Sequence, residues 1–156
     1  MEEQERFAVD GRIRKVDAQK FALEEIRARM KKILFDTDVL IEHLRGNSDV
    51  TAELARLRES QSILALTPVS EAEIQRGLRS NERESTIATL SLFECLDINR
   101  DIGRRAGEYL RKYSKSHGVE APDALIAAAA VIHRFALCTF NWKHFPMNEL
   151  VRYRIG

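Results

Sequence analysis

The chain has 156 residues, enough for one domain with a full core, and its 44% hydrophobic and 31% charged content describes an ordinary globular protein. A formal net charge of +1 excludes a global electrostatic pull toward nucleic acid or membrane, so any such binding must rest on local patches. No apolar run approaches the ~20 residues that span a bilayer. The start, Met1-Glu2-Glu3-Gln4-Glu5, is acidic where a signal peptide is basic and then apolar, and Cys95 and Cys138 lack CxxC spacing. These features point to a cytoplasmic protein with buried free thiols rather than a disulfide.

Residues 1–29 are charged with sparse apolar positions and read as an N-terminal extension, partly helical or flexible, in front of a domain spanning 30–156. Within the extension, Asp17 is placed to cap a helix through Phe21, Leu23, Ile26 and Met30, whose thin apolar stripe needs a surface to dock on. Ile33-Leu34-Phe35 reads as a buried strand, ended by Asp36 and Asp38, with a helix following through Val39, Leu40, Ile41 and Leu44. Asn47-Ser48-Asp49 is a turn and cap ahead of a helix carrying Val50, Leu54 and Leu57. Ile63 to Leu66 is a second strand, and Thr67-Pro68 supplies an N-cap and a first-turn proline for a helix from Val69 to Gly77.

Asn81 to Phe93 is helix-like, Glu94 to Ile98 a third strand, and a longer helix runs from about Asp101 to His117-Gly118. Ala121-Pro122-Asp123 opens an alanine-rich helix, Ala124 to Ile132, that can lie close to a sheet or another helix. Ala136 to Phe140 is the next strand, and Leu150 to Tyr153 a last edge strand. Strands alternating with helices, without long linkers, predict an α/β sandwich with a mostly parallel central sheet.

Three acids hold equivalent places: Asp36 after the first strand, Glu73 one turn into the helix after the second, and Asp123 at the start of the alanine helix. Segments leaving one edge of a parallel sheet converge, and open α/β sheets bind ligands at that edge. Three carboxylates crowd together only if a cation screens them, and Mg²⁺ or Mn²⁺ is the natural occupant. An ion so held activates water and neutralises charge on a phosphodiester. The plainer alternative is three helix N-terminal acids that complement the macrodipole.

The runs Ile33 to Ile41, Glu73-Ile74-Gln75-Arg76-Gly77, Pro122 to Ala128 and Thr139 to Phe145 resemble, in order and spacing, the successive motifs of PIN-domain ribonucleases, most closely VapC-type toxins of bacterial toxin–antitoxin pairs. The resemblance covers about residues 30–153. It implies a three-layer PIN-like α/β/α fold and a Mg²⁺- or Mn²⁺-dependent endoribonuclease, usually dimeric, silenced by a VapB-type antitoxin whose tail enters the site. Carried over by position, Asp36, Glu73 and Asp123 are the catalytic metal acids, with Thr37 and Thr139 as supporting hydroxyls and Asp38 in a place often taken by Asn. The fourth acidic place is Asn141, with His144 where many relatives have another acid. Asn141 can accept a metal-bound water but brings no charge, so a single-ion site is expected. The loss of that acid also admits a catalytically weakened domain that only binds RNA or its antitoxin. A receiver-like phosphoacceptor fits poorly, since Asp97 is its sole candidate aspartate and the required lysine is missing.

Arg76, Arg79 and Arg83, and the basic residues of the long helix from Arg100 to Lys115, offer a local patch for an RNA backbone or merely a solvated face. Arg76, one turn beyond Glu73, is the strongest candidate for a substrate contact. Glu71 should point away from Glu73, and Glu42 is one turn beyond Asp38, within reach of the site's surroundings. Trp142 can stack on a base or plug the sheet end. His117 and His133 read as packing or surface residues. The strip Gly11-Arg12-Ile13-Arg14-Lys15-Val16 could lie across an acidic pocket as an antitoxin tail does.

Overall fold

The structure, a computed structural model, describes the backbone of residues 2–156 and the side chains of residues 13–26 and 30–156. The chain divides into two units, residues 1–30 and 31–156. The first is a single helix, α1 (Glu2–Arg29). Alanine, glutamate, arginine, lysine and glutamine dominate it and no proline interrupts it, so local propensity carries it through Gly11. Asp17 therefore lies inside a continuous helix instead of capping a shorter one. Ile13, Val16, Phe21, Leu23 and Ile26 are all exposed on it. The strip from Gly11 to Val16 is helical, and the side chain of Arg12 falls outside the described residues.

In the second unit, β1 (Lys32–Phe35), β2 (Ile63–Leu66), β3 (Glu94–Cys95), β4 (Ala136–Cys138) and β5 (Arg152–Tyr153) form one sheet in the order β3-β2-β1-β4-β5. Every pairing is parallel, with Leu34 opposite both Ala65 and Leu137. Strands covered on both faces must be apolar at successive positions, and these are. Leu34, Ala65 and Leu137 face one core, while Ile33, Phe35, Leu64, Leu66 and Cys138 face the other. Three layers follow directly from that alternation.

The core around Ile33 and Phe35 is closed by α2 (Thr37–Leu44), α3 (Ser48–Glu59), α4 (Pro68–Gly77) and α5 (Arg83–Leu90), which contribute Val39, Leu40, Val50, Leu54, Leu57, Ile74 and Leu90. The opposite core is closed by α6 (Arg100–His117) and α7 (Ala121–His133), with Ile102, Ala106 and Tyr109 packed against α7. Ala124, Ala127, Ala128, Ala129 and Ala130 have no exposed surface. A larger side chain at any of them overpacks the layer, at a cost of about 1–3 kcal/mol. The long helix α6 starts on Asn99, whose side chain accepts from the Ile102 N–H, and stops on Gly118 at φ 64°, a left-handed position suited to glycine.

Some local expectations need correction. The third strand is only two residues long, and Cys95 on it is exposed rather than buried; Cys138 is buried, and both are free thiols. Thr67 precedes α4 as expected, but its hydroxyl caps nothing and is buried without a partner. Glu42 faces the end of α2, accepting from Asn47 Nδ2 at 3.1 Å and pairing with Arg45 at 3.4 Å, rather than the acids at the sheet edge. No helix among the described residues is long and apolar enough to cross a membrane.

The strand order sets the location of the site. The chain runs outward from β1 through β2 to β3, then returns to place β4 on the other side of β1. The reversal leaves a crevice between the C-terminal ends of β1 and β4, the switch point at which open α/β sheets bind ligands.

Candidate active site

Asp36 is the residue at which β1 becomes α2. Its backbone N–H still pairs with the sheet, donating to the Cys138 carbonyl at 2.9 Å. Its side chain caps α2, with Oδ1 accepting from the Thr37 N–H at 2.7 Å. Across the crevice, Thr139 follows β4 and donates from Oγ1 to Asp36 Oδ2 at 2.7 Å. Both oxygens of this carboxylate are thus fixed by neutral donors, and the residue is only 7% exposed.

Thr37 carries the network to α4. Its Oγ1 lies 2.8 Å from Glu73 Oε1 and 2.9 Å from Ser70 Oγ. A hydroxyl has one proton, so Thr37 divides its single donor between the Glu73 carboxylate and the oxygen of the buried Ser70. Ser70 was not anticipated as a site residue. Its signal was its spacing: three residues before Glu73, it shares that residue's face of the helix.

Asp38 is turned toward the loop after β4. Its Oδ1 accepts from the Val39 N–H at 2.7 Å, and its Oδ2 from the Phe140 N–H at 3.0 Å, with the Thr139 hydroxyl at 3.3 Å. Asp38 therefore pins the segment that carries Thr139, and Asn141 completes the turn by donating its N–H to Thr139 Oγ1 at 3.0 Å.

Asp123 stands in the first turn of α7, where its Oδ2 accepts from the Glu120 N–H at 3.1 Å. That contact is half of a capping box, so the helix-terminal role foreseen as the plain alternative is real for this acid. The same Oδ2 lies 3.5 Å from His144 Nδ1, and that ring nitrogen is 2.9 Å from Asn141 Nδ2. Asn141 precedes and His144 ends a 3-10 turn (Trp142–His144) anchored by the fully buried Phe145. Trp142 packs partly buried at the sheet end, under the guanidinium groups of Arg152 and Arg154.

Arg76 is exposed on α4. Arg79, rather than Arg76, lines a cavity of about 630 Å³ beside Glu73, whose other walls include Ile41, Leu44, Ile74 and Leu78. Among the remaining histidines, His133 contacts the Asp97 carbonyl at 3.0 Å and His117 the Ser116 hydroxyl at 2.7 Å, in keeping with packing or surface roles.

The electrostatics of the acids are distinctive. Burial, and then the charge of Asp38, push the Asp36 carboxyl up to about 7 against its ordinary 3.8; Thr139 and Thr37 pull the other way, and Asp123 adds a further upward push. Burial also raises Asp38 and Asp123; on Asp123 the Glu120 N–H and then His144 pull the other way, while the charges of Glu120 and Glu73 add to the rise. None of the groups acting most strongly on Asp36 carries positive charge. Among the described residues, no three His, Cys, Asp or Glu side chains are gathered into a ready coordination sphere. What the residues offer is a set of oxygen donors with an uncompensated charge, and that fits a hard divalent cation.

Acids from separate segments, perturbed by burial and by one another, stand at the switch point of a parallel sheet, the rim at which open α/β domains bind ligands. The PIN domain model matches residues 33–147, and the chain belongs to that family. Its relatives there are VapC proteins. It is 40% identical over 121 residues to ribonuclease VapC10 of Mycobacterium tuberculosis, covering 77% of this chain and 90% of that protein. It is 34% identical over 115 residues to ribonuclease VapC19 of the same organism, covering 73% and 92%. Among solved structures, a toxin–antitoxin complex from Klebsiella pneumoniae matches with a TM-score of 0.64 at 28% identity, over 79% of this chain and 99% of the matched chain.

Proposed function

We propose that this chain is a divalent-metal-dependent endoribonuclease of the VapC type, a cytoplasmic toxin held inactive by a VapB-type antitoxin and acting as a homodimer. The observation that carries the reading is Asp36: a carboxylate at the switch point, buried, fixed through both oxygens by neutral donors, and raised to about 7 with no strong cation beside it. Such a group is costly unless an ion completes it. Asp36, Glu73 and Asp123 would hold Mg²⁺ or Mn²⁺, with Asn141 near enough to take part through water. The bound ion supplies an activated water and charge neutralisation at the scissile phosphate.

The chain's own residues divide the remaining work. Thr139 and the Thr37 N–H hold the Asp36 oxygens in place, and Thr37 and Ser70 hold Glu73. Asp38 keeps the loop after β4 closed over Thr139. Arg76 and Arg79 lie on the α4 side of the acids, where a phosphate backbone would pass. Kinship with two ribonucleases and with a chain from a toxin–antitoxin complex supports the substrate class and the kind of partner. The helix α1 is an extension outside the nuclease domain.

The test is RNA cleavage by wild-type protein and Asp36→Asn in Mg²⁺ and in Mn²⁺. Cleavage that requires the ion and falls by at least about 100-fold in the variant supports the reading. Equal cleavage by both proteins, or cleavage that persists in chelator, refutes it. The replacement of an acid at Asn141 favours a second reading, a weakened domain that binds RNA without cutting it. Binding without cleavage across several metals would select that one.

A further inference from the structure

The pairing of His144 with Asp123 has no part in the reading so far. Its Nδ1 lies 3.5 Å from Asp123 Oδ2. Two ligands about 2.1 Å from one octahedral ion, on adjacent vertices, stand about 3 Å apart, so the pair is already close to the separation that shared coordination needs. Nδ1 lies 2.9 Å from the Asn141 amide nitrogen, which can only donate, so in the neutral ring it is Nδ1 that carries the lone pair a metal requires. The ring is also well placed. The backbone N–H of His144 closes the 3-10 turn onto the Asn141 carbonyl at 3.0 Å, and the next residue, Phe145, is fully buried, which fixes where the ring starts. Imidazole nitrogen is a poor ligand for Mg²⁺ and a good one for Mn²⁺ and the later first-row ions.

We propose that His144 Nδ1 is a direct nitrogen ligand of the cation held by Asp123, and that it shifts the site's preference from Mg²⁺ toward Mn²⁺. On coordination, Nδ1 exchanges its contact with the Asn141 amide for the ion, and Asn141 is left to bond an ion-bound water. The proposal rests on the cation reading above. It differs in replacing an all-oxygen site with a mixed nitrogen–oxygen one.

Pulsed electron paramagnetic resonance of the full chain loaded with Mn²⁺ tests it without reference to activity. The expected result is modulation from a directly coordinated ¹⁴N, converted to the ¹⁵N pattern when the protein is labelled at histidine. The modulation is lost in His144→Gln. The labelled wild-type protein answers the question even if a variant folds poorly. In calorimetric titrations, His144→Asp is expected to lose Mn²⁺ preference relative to Mg²⁺. Nitrogen modulation that survives in His144→Gln assigns the ligand to another residue and overturns the proposal. Mn²⁺ bound with no nitrogen modulation also overturns it while leaving the oxygen site intact. An absence of any Mn²⁺ binding removes the cation reading, and this proposal with it.

Discussion

Thr139 Oγ1 donates to Asp36 Oδ2 at 2.7 Å, joining residues 103 positions apart in sequence. The bond closes the rim between β1 and β4, and it is one of the two donors that hold Asp36. Thr139→Val keeps the shape of the side chain but leaves a buried carboxylate oxygen without its donor, at a cost of about 1–3 kcal/mol. The hydroxyl lowers the Asp36 carboxyl, so its removal should raise that group further above 7. Urea unfolding at pH 8 should show the loss for Thr139→Val and little loss for Thr139→Ser.

Asp36 makes the stability of the metal-free protein depend on pH. Its folded-state value, about 7, lies above the ordinary 3.8, so between these limits the native state binds a proton that the unfolded chain does not. This group's contribution is therefore fully present at low pH and is lost as pH rises from about 4 through 7. Asp38 and Asp123, also raised, act with the same sign. Asp36→Asn should stabilise the metal-free protein at pH 8 by about 1–3 kcal/mol while abolishing cleavage. Thermal melts in chelator from pH 5 to 8 check this, and a variant no more stable than wild type at pH 8 speaks against an uncompensated charge.

Thr37 and Ser70 tie Glu73 to the Asp36 side of the crevice. Supporting groups of this kind typically govern metal affinity by about 10–100-fold. Ser70→Ala and Thr37→Val should both weaken cation binding within that range, measured by calorimetry, with Thr37→Val the more severe because it removes the bond to the acid itself. Affinity unchanged in both would detach Glu73 from the ion.

At the β5 edge of the sheet, Arg56, Glu53 and the Tyr153 hydroxyl form a clip between α3 and β5. Arg56, helped by the Tyr153 hydroxyl, holds the Glu53 carboxyl at about 2, below its ordinary 4.5. A depressed acid contributes stability that is present above 4.5 and lost as pH falls through 2, opposite in sign to Asp36. Tyr153→Phe should cost about 1 kcal/mol and leave RNA cleavage unchanged. A loss of cleavage without a loss of stability would mean that β5 does more than close the sheet.

The layers and the positions of Asp36, Glu73 and Asp123 were legible because they rest on local rules. Ile33 to Phe35 and Ile63 to Leu66 are apolar on both faces, as strands of a covered parallel sheet must be; Asp36 and Asp123 sit where a helix begins, and Glu73 lies within the helix that follows β2. What escaped was set by contacts between distant segments. The unpartnered Thr67 hydroxyl breaks a capping preference under burial, and the exposure of Cys95 follows from a third strand that pairs for only two residues. Asp17 was misplaced because the helix continues on propensity alone through a residue that often starts one. Asp38 pinning the Phe140 N–H, and His144 reaching Asp123, depend on β4 returning beside β1. No spacing within either segment encodes that return.

The most direct measurement is a crystal structure of the full chain grown in Mn²⁺, with data collected at the manganese absorption edge. The account predicts an anomalous peak at the C-terminal ends of β1 and β4, with carboxylate oxygens of Asp36 and Asp123 in its coordination sphere and Glu73 turned toward it. A peak elsewhere, or no peak while these three side chains stand apart, would contradict it.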